Sequence, residues 1–246
     1  MRIEDHIIHE DNHLFVINKP EGMLAQGDSS ERQSLNEIIK EYIKARDKKP
    51  GNVFLGIVQR LDRQVSGAIV YAKTSKAASR LSKQIRDHEI CKYYICITSS
   101  KLATDTPGKW VKVEKNFIRR GNKTFKADLS DKEAKIGKLY YTTVTHNSRY
   151  SLHIVRLITG RKHQIRATFN ILDNPIADDA LYGGSKKQNN SILLHSFYLK
   201  FRHPVNGTEL TFVTDIPDRF INYTDFNINR SDLCALIIKT IDNFKI

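Results

Sequence analysis

The sequence predicts an α+β fold, a mixed and mostly antiparallel sheet with flanking helices, and three observations point to it. β-rich segments come in hairpin-like groups, helical periodicities occur singly between them, and a regular βαβ alternation is missing. The chain has 246 residues, 40% of them hydrophobic, enough to bury one large core or two small lobes. It is read as a single domain over residues 1–246.

Ile7–Ile8 and Leu14–Ile17 read as short strands around an Asp11-Asn12 turn, closed by Lys19-Pro20-Glu21-Gly22. Ser34-x-x-Glu37 is a capping box, and Leu35, Ile38, Ile39, Tyr42 and Ile43 then mark one helical face. Lys48-Lys49-Pro50-Gly51 ends that helix. Ala68 to Ala72 reads as a buried strand, and a helix starting at Ser75 carries Ala78, Leu81 and Ile85 inward. Ile90 to Thr98, Tyr150 to Leu157, Ile192 to Phe201 and Leu210 to Val213 are β-rich. Residues 99–140, rich in Lys, Gly and Asp, read as a long loop or small insertion. Leu233 to Ile241 is a helix candidate within a C-terminal extension, 221–246.

The net charge is +13 with a pI near 9.6. Solubility alone asks for a magnitude of about 2–8 in a small domain. A polyanion partner is implied, because the basic residues cluster: Arg60/Arg63, Arg80–Lys83–Arg86, Arg119–Arg120–Lys123–Lys126, Arg161–Lys162–Arg166 and Lys186–Lys187. These clusters are scattered, so folding has to gather them. There is no apolar run of about 18 residues to span a membrane. The charged N-terminus is unlike a secretory signal. Three cysteines, Cys91, Cys96 and Cys234, form no C-x-x-C pair, which fits a reducing cytoplasm. His6, His9 and His13 straddle a turn without a cysteine partner, so no metal is expected. Phosphate-loop, dinucleotide and serine-elbow motifs are absent.

Residues 58–74 read VQRLDRQVSGAIVYAKT, with the carboxylate of Asp62 between Arg60 and Arg63, just ahead of an apolar run. Such a carboxylate is either half of a surface ion pair or a group held for chemistry. Gly160-Arg161-Lys162-His163-Gln164-Ile165-Arg166 follows a strand. A strand-to-helix turn there would expose N–H groups and point arginines outward, suiting phosphate, although a solvated basic turn has the same composition. His163 and His195 suit structural parts. Tyr93 and Tyr94 face opposite sides of a strand, so one can be core while the other stacks on an unpaired base.

Together these stretches resemble the RluA-type family of RNA pseudouridine synthases. Arg60-Leu61-Asp62, Ser66-Gly67 and Ala72-Lys73-Thr74 are similar to its R-L-D-x-x-x-S-G-(apolar)-A-K-T motif, and Lys92-x-Tyr94 to its K-x-Y strand. Gly160-Arg161-x-His163-Gln164-Ile165-Arg166 is similar to G-R-x-H-Q-I-R, and Asn18-Lys19-Pro20-x-Gly22 to N-K-P-x-G. Pro175-Ile176, Asp179, Tyr182-Gly183, Leu194-His195 and His203-Pro204 match its later signatures in order. The likeness covers about residues 7–220, and no separate N-terminal RNA-binding module is expected. Gln59 stands where the family usually has His, and Val65 where it usually has Thr.

The resemblance implies Asp62 as catalytic carboxylate, Tyr94 as base-stacking tyrosine, Arg166 as the cation pairing with Asp62, and Ile165 as their apolar neighbour. It implies Arg60 at the RNA face, filling the gap left by a flipped base, and a fold with a central cleft and no cofactor. Arg161, Lys162, His163 and Gln164 are expected to touch RNA, either ribosomal or transfer RNA. A monomer is expected. A silent RNA-binding protein of this fold and a carboxylate-dependent nucleosidase are the alternatives; the latter usually needs a second carboxylate.

Overall fold

The computed structural model describes residues 2–28, 32–99, 106–128, 130–185, 191–223 and 226–245. The basic pair Lys186–Lys187 lies outside them. The chain forms two compact units, Met1–Cys91 with Tyr198–Thr214, and Lys92–Phe197 with Asp215–Ile246. Among the described residues, no helix is long and apolar enough to cross a membrane.

In the first unit, β1 (Ile7–Glu10) and β2 (Leu14–Lys19) form a hairpin. The Asp11 carboxylate closes it by accepting from the N–H groups of His13 and Leu14, at 2.6 and 2.8 Å. Helix α1 (Leu35–Arg46) starts at the capping box foreseen from Ser34 and Glu37. Strand β3 (Gly56–Ile57) and then β4 (Ser66–Ala72) follow, and β2 runs antiparallel to β4 from Leu14↔Ala72 to Lys19↔Gly67. Every residue of β4 is buried. One face of these strands, Leu14, Val16, Ala68, Val70 and Ala72, packs on helix α2 (Ser75–Arg86). On the other, Phe15 meets Tyr42 of α1 edge-on. A strand covered on both faces reads as an unbroken apolar run, which is why β4 was legible. On α2, Leu81 is buried and Ala78 and Ile85, half-buried, pack against the same cluster as expected, while Ala77 and Gln84 are buried as well. Gln84 escapes a hydrophobicity reading because its amide donates to Arg202 O, at 2.8 Å, while its Oε1 accepts from Arg202 N–H, at 3.0 Å.

The second unit holds β5 (Cys91–Thr98, from Lys92 on), β6 (Val111–Arg120), β7 (Lys123–Lys126), β8 (Lys135–His146) and β9 (Ser151–Leu157). They pair antiparallel in the order β5-β9-β8-β6-β7. Helix α3 (Gln164–Ile171) sets Phe169 against Tyr141 and His153 on one sheet face. Strand β10 (Leu194–Arg202) runs from the second unit into the first and pairs with β11 (Glu209–Val213). The short α4 (Asp218–Asn222) and then α5 (Arg230–Asp242) complete the second unit. Leu233, Ile237 and Ile241 of α5 are buried, and Phe244 stacks on Trp110 at 4.0 Å, so the extension is part of this unit's core.

Residues 99–140 correct the loop expectation: β6, β7 and the start of β8 lie there. Only Val113 and Phe117 of β6 are buried; Val111 and Ile118 are half-buried, and the other residues of the strand are polar. Val111, Val113 and Phe117 keep a period of two, but Lys115 breaks it and Ile118 falls out of phase, so the hydrophobic trace of the strand is weak.

Candidate active site

Asp62 opens a four-residue turn between β3 and β4, with Val65 N–H donating to Asp62 O at 3.0 Å. Its neighbours Leu61 and Val65 are buried, Asp62 is half-buried and Arg60 is exposed. Beneath the turn lies Lys19, wholly buried. Its ammonium donates to Pro20 O and Met23 O at 2.8 Å and to Arg63 O at 3.3 Å. Gly22 N–H adds a bond to Arg63 O at 2.8 Å. Gly22 has φ +79°, a conformation that L side chains adopt at a cost. A buried ammonium must be hydrogen-bonded, and here main-chain carbonyls from two segments satisfy it. The N-K-P-x-G segment thereby clamps the turn that carries Asp62.

In the second unit, Tyr94 aligns with Val155 of β9, and Val155 with Tyr141 of β8, so these three share a sheet face. That face is the one covered by α3 through Phe169. Tyr93 points to the other face, edge-on to Trp110 at 6.3 Å and under the Arg156 guanidinium at 5.0 Å. Both tyrosines are buried, Tyr93 6% and Tyr94 7% exposed.

The stretch from Thr159 to Arg166 turns from strand to helix as expected, and side chains hold it. Gln164 Oε1 accepts from Thr159 Oγ1 at 2.8 Å and from Arg161 N–H at 3.0 Å, and its Nε2 donates to Lys138 O at 3.2 Å. His163 adopts φ 53° at the helix start, with Nδ1 3.1 Å from Tyr182 Oη. The same phenol oxygen accepts from Thr124 N–H at 2.8 Å, and Thr124 Oγ1 donates to Lys162 O at 2.8 Å. Burial pushes the Tyr182 phenol up.

Arg166 does not point outward with the other basic residues of the turn. It is 2% exposed, with Nε and Nη2 donating to the two Asp179 oxygens at 2.7 and 2.8 Å. Its guanidinium lies 5.0 Å over the Tyr182 ring. Asp179 is 1% exposed, so this is a desolvated, bidentate ion pair. The Asp179 loop needs glycine at 184, where a Cβ would sit 2.2 Å from Ile176 O.

The structure therefore brings Tyr94, Arg161, Lys162, His163, Gln164, Ile165 and Arg166 into one unit, while Arg60 and Asp62 belong to the other. Arg161 is exposed, Lys162 and His163 are half-buried, and Gln164 and Ile165 are buried. His195 is wholly buried, and desolvation lowers its imidazole to about 3, which suits a neutral structural part. The sequence reading assigned no role to Lys19, Asp179 or Tyr182, although all three stand in matched signatures. Thr124 carries no sequence signal at all.

Residues 13–170 match the model of a family described as RNA pseudouridylate synthase. Ribosomal large subunit pseudouridine synthase C of Buchnera aphidicola is 33% identical over 226 residues, 88% of this chain and 69% of that protein. Ribosomal large subunit pseudouridine synthase D of Zymomonas mobilis is 30% identical over 223 residues, 86% of this chain and 69% of that protein. Among solved structures, human RNA pseudouridylate synthase domain containing 4 superposes with a TM-score of 0.73 at 22% identity, covering 89% of this chain and 91% of the other.

Proposed function

As the chain belongs to the RNA pseudouridylate synthase family, and is thus an isomerase of uridine in RNA, we propose that Asp62 is its catalytic carboxylate, with Tyr94 and Arg166 beside it in function. The observation that carries this assignment is the Lys19 clamp. A fully buried ammonium and the Gly22 N–H converge on Arg63 O, one residue from a half-buried carboxylate. A surface ion pair would need no such support.

Pseudouridine formation breaks the bond from the sugar C1′ to N1 and makes one from C1′ to C5, moving the C5 proton to N1 in net terms. The carboxylate serves either by attacking the sugar carbon or by acting as a base on the sugar. Tyr94 stacks on the uracil while it is detached. Arg166, oriented by Asp179, is the cation of the reaction. Gln164 serves by holding the turn that presents Arg161, Lys162 and His163 to RNA phosphates. Arg60, exposed beside Asp62, fills the gap left by the flipped uridine, whose unstacking costs a few kcal/mol.

The large-subunit ribosomal RNA is the substrate we favour, because several similar proteins are named for it. The protein works as a monomer in the cytoplasm, where its three free cysteines stay reduced. The test is product analysis on transcribed large-subunit ribosomal RNA incubated with the purified protein. An isomer of unchanged mass that disappears in Asp62→Asn supports the assignment. Free uracil would make the protein a nucleosidase, and binding without any product would make it a silent RNA-binding protein.

A further inference from the structure

Lys92 lies on β5 two residues before Tyr94, so both side chains leave the same face of the strand. The residue is 8% exposed. Among the described residues its ammonium makes no hydrogen bond and no ion pair. The charge acting on it is another cation, Arg156. Burial and that cation together lower the Lys92 ammonium to about 8.

Such an arrangement costs stability. An ammonium removed from water needs acceptors or a counter-ion, and Lys19 in the same chain has three carbonyls. Packing does not explain the residue either, since a methionine would fill the same space without a charge. Gly160, exposed at the start of the basic turn, has no side chain, and a Cβ there would stand 3.9 Å from Lys92 Nζ. The ammonium thus lies beside the backbone of the Gly160–Arg166 stretch, on the sheet face that also bears Tyr94.

We propose that Lys92 is the anion-binding residue of this active site, its counter-ion being an anionic oxygen that the RNA substrate brings. This rests on the synthase reading and deepens it. Two oxygens of the substrate have that chemistry. One belongs to a backbone phosphate, which is anionic throughout. The other belongs to the uracil, which takes the electron pair of the broken C1′–N1 bond and spreads the charge over its carbonyl oxygens until C5 forms the new bond.

The experiment compares the full-length protein with Lys92→Met and Gly160→Val. The first removes the charge and keeps the stem; the second leaves the lysine and sets a branched side chain against its ammonium. Binding to labelled decauridylate is measured at several salt concentrations, and single-turnover conversion is measured on saturating transcribed large-subunit ribosomal RNA. A phosphate partner lowers the log–log salt slope by about 0.7 in both variants, with the saturated rate unchanged. A uracil partner leaves the slope alone and lowers the saturated rate at least tenfold in both. Wild-type slope and rate in both folded variants would overturn the proposal. Should the wild-type protein itself make no pseudouridine, the synthase reading fails, while the salt slope still decides whether Lys92 meets a phosphate.

Discussion

The turn that carries Asp62 and the turn that carries Arg166 are built in opposite ways. The first is held by main chain: carbonyls of Pro20, Met23 and Arg63 gather on one buried lysine. The second is held by side chains, those of Gln164, Thr159, Thr124, Tyr182 and Asp179. A clamp that takes only main-chain carbonyls does not depend on which side chains those residues carry. A turn secured through side chains is sensitive at each of them.

The largest expected effect tests the chemistry carried by the first turn. Asp62→Asn should lower single-turnover conversion by roughly 10³-fold or more while RNA affinity stays near wild type. Full turnover by the purified variant would remove Asp62 from the mechanism.

Next comes the buried pair under the second turn. Asp179→Leu alone strands the Arg166 charge and should cost about 3–5 kcal/mol in urea unfolding, whereas Arg166→Met with Asp179→Leu should recover much of that stability without recovering activity. Equal costs for the single and double variants would mean that a stranded Arg166 charge is not the source of the loss. Lys19→Met should cost roughly 2–3 kcal/mol, since it leaves buried carbonyls without a donor, and should reduce turnover through the displaced Asp62 turn. A variant as stable as wild type would dissolve the contrast between the two turns.

A pH experiment sharpens the difference between the two buried lysines. The Lys92 ammonium, lowered from 10.5 to about 8 by burial and by Arg156, binds fewer protons in the folded chain than in the unfolded one between those values. Stability should therefore rise with pH across that window, at a limiting slope of about 1.4 kcal/mol per unit. Lys92→Met should flatten the rise in chemical-denaturation curves recorded from pH 7.5 to 10.5. An unchanged rise would assign it to other groups.

The smallest effect is at the rim. Arg161→Ala should reduce the log–log salt slope of RNA binding by roughly 0.7–0.9 and leave the saturated rate intact. A lost rate would place Arg161 with Arg166 rather than with the phosphate contacts.

How much was legible follows from what covers each element. The capping box at Ser34 and Glu37 and the buried run of β4 were readable, because capping is local and a strand covered on both faces is apolar throughout. Strand β6 was not, since its pairing lies in backbone N–H and C=O groups that every residue carries. The opposite directions of Tyr93 and Tyr94 follow from strand geometry, but the burial of both depends on Trp110, Arg156 and α3, which arrive from distant sequence.

The sequence by itself determined the fold class, the helix and strand grammar of the core, and the family, through motifs whose residue types must stand in order. Only the tertiary structure decided the partners of buried charge. Arg166 meets Asp179, thirteen residues on, Lys19 meets the carbonyl of Arg63, forty-four residues on, and Lys92 meets no partner among the described residues. The physical reason is desolvation: a cation's cost and its partner are set by what folding removes from around it, and neighbours in sequence do not report that.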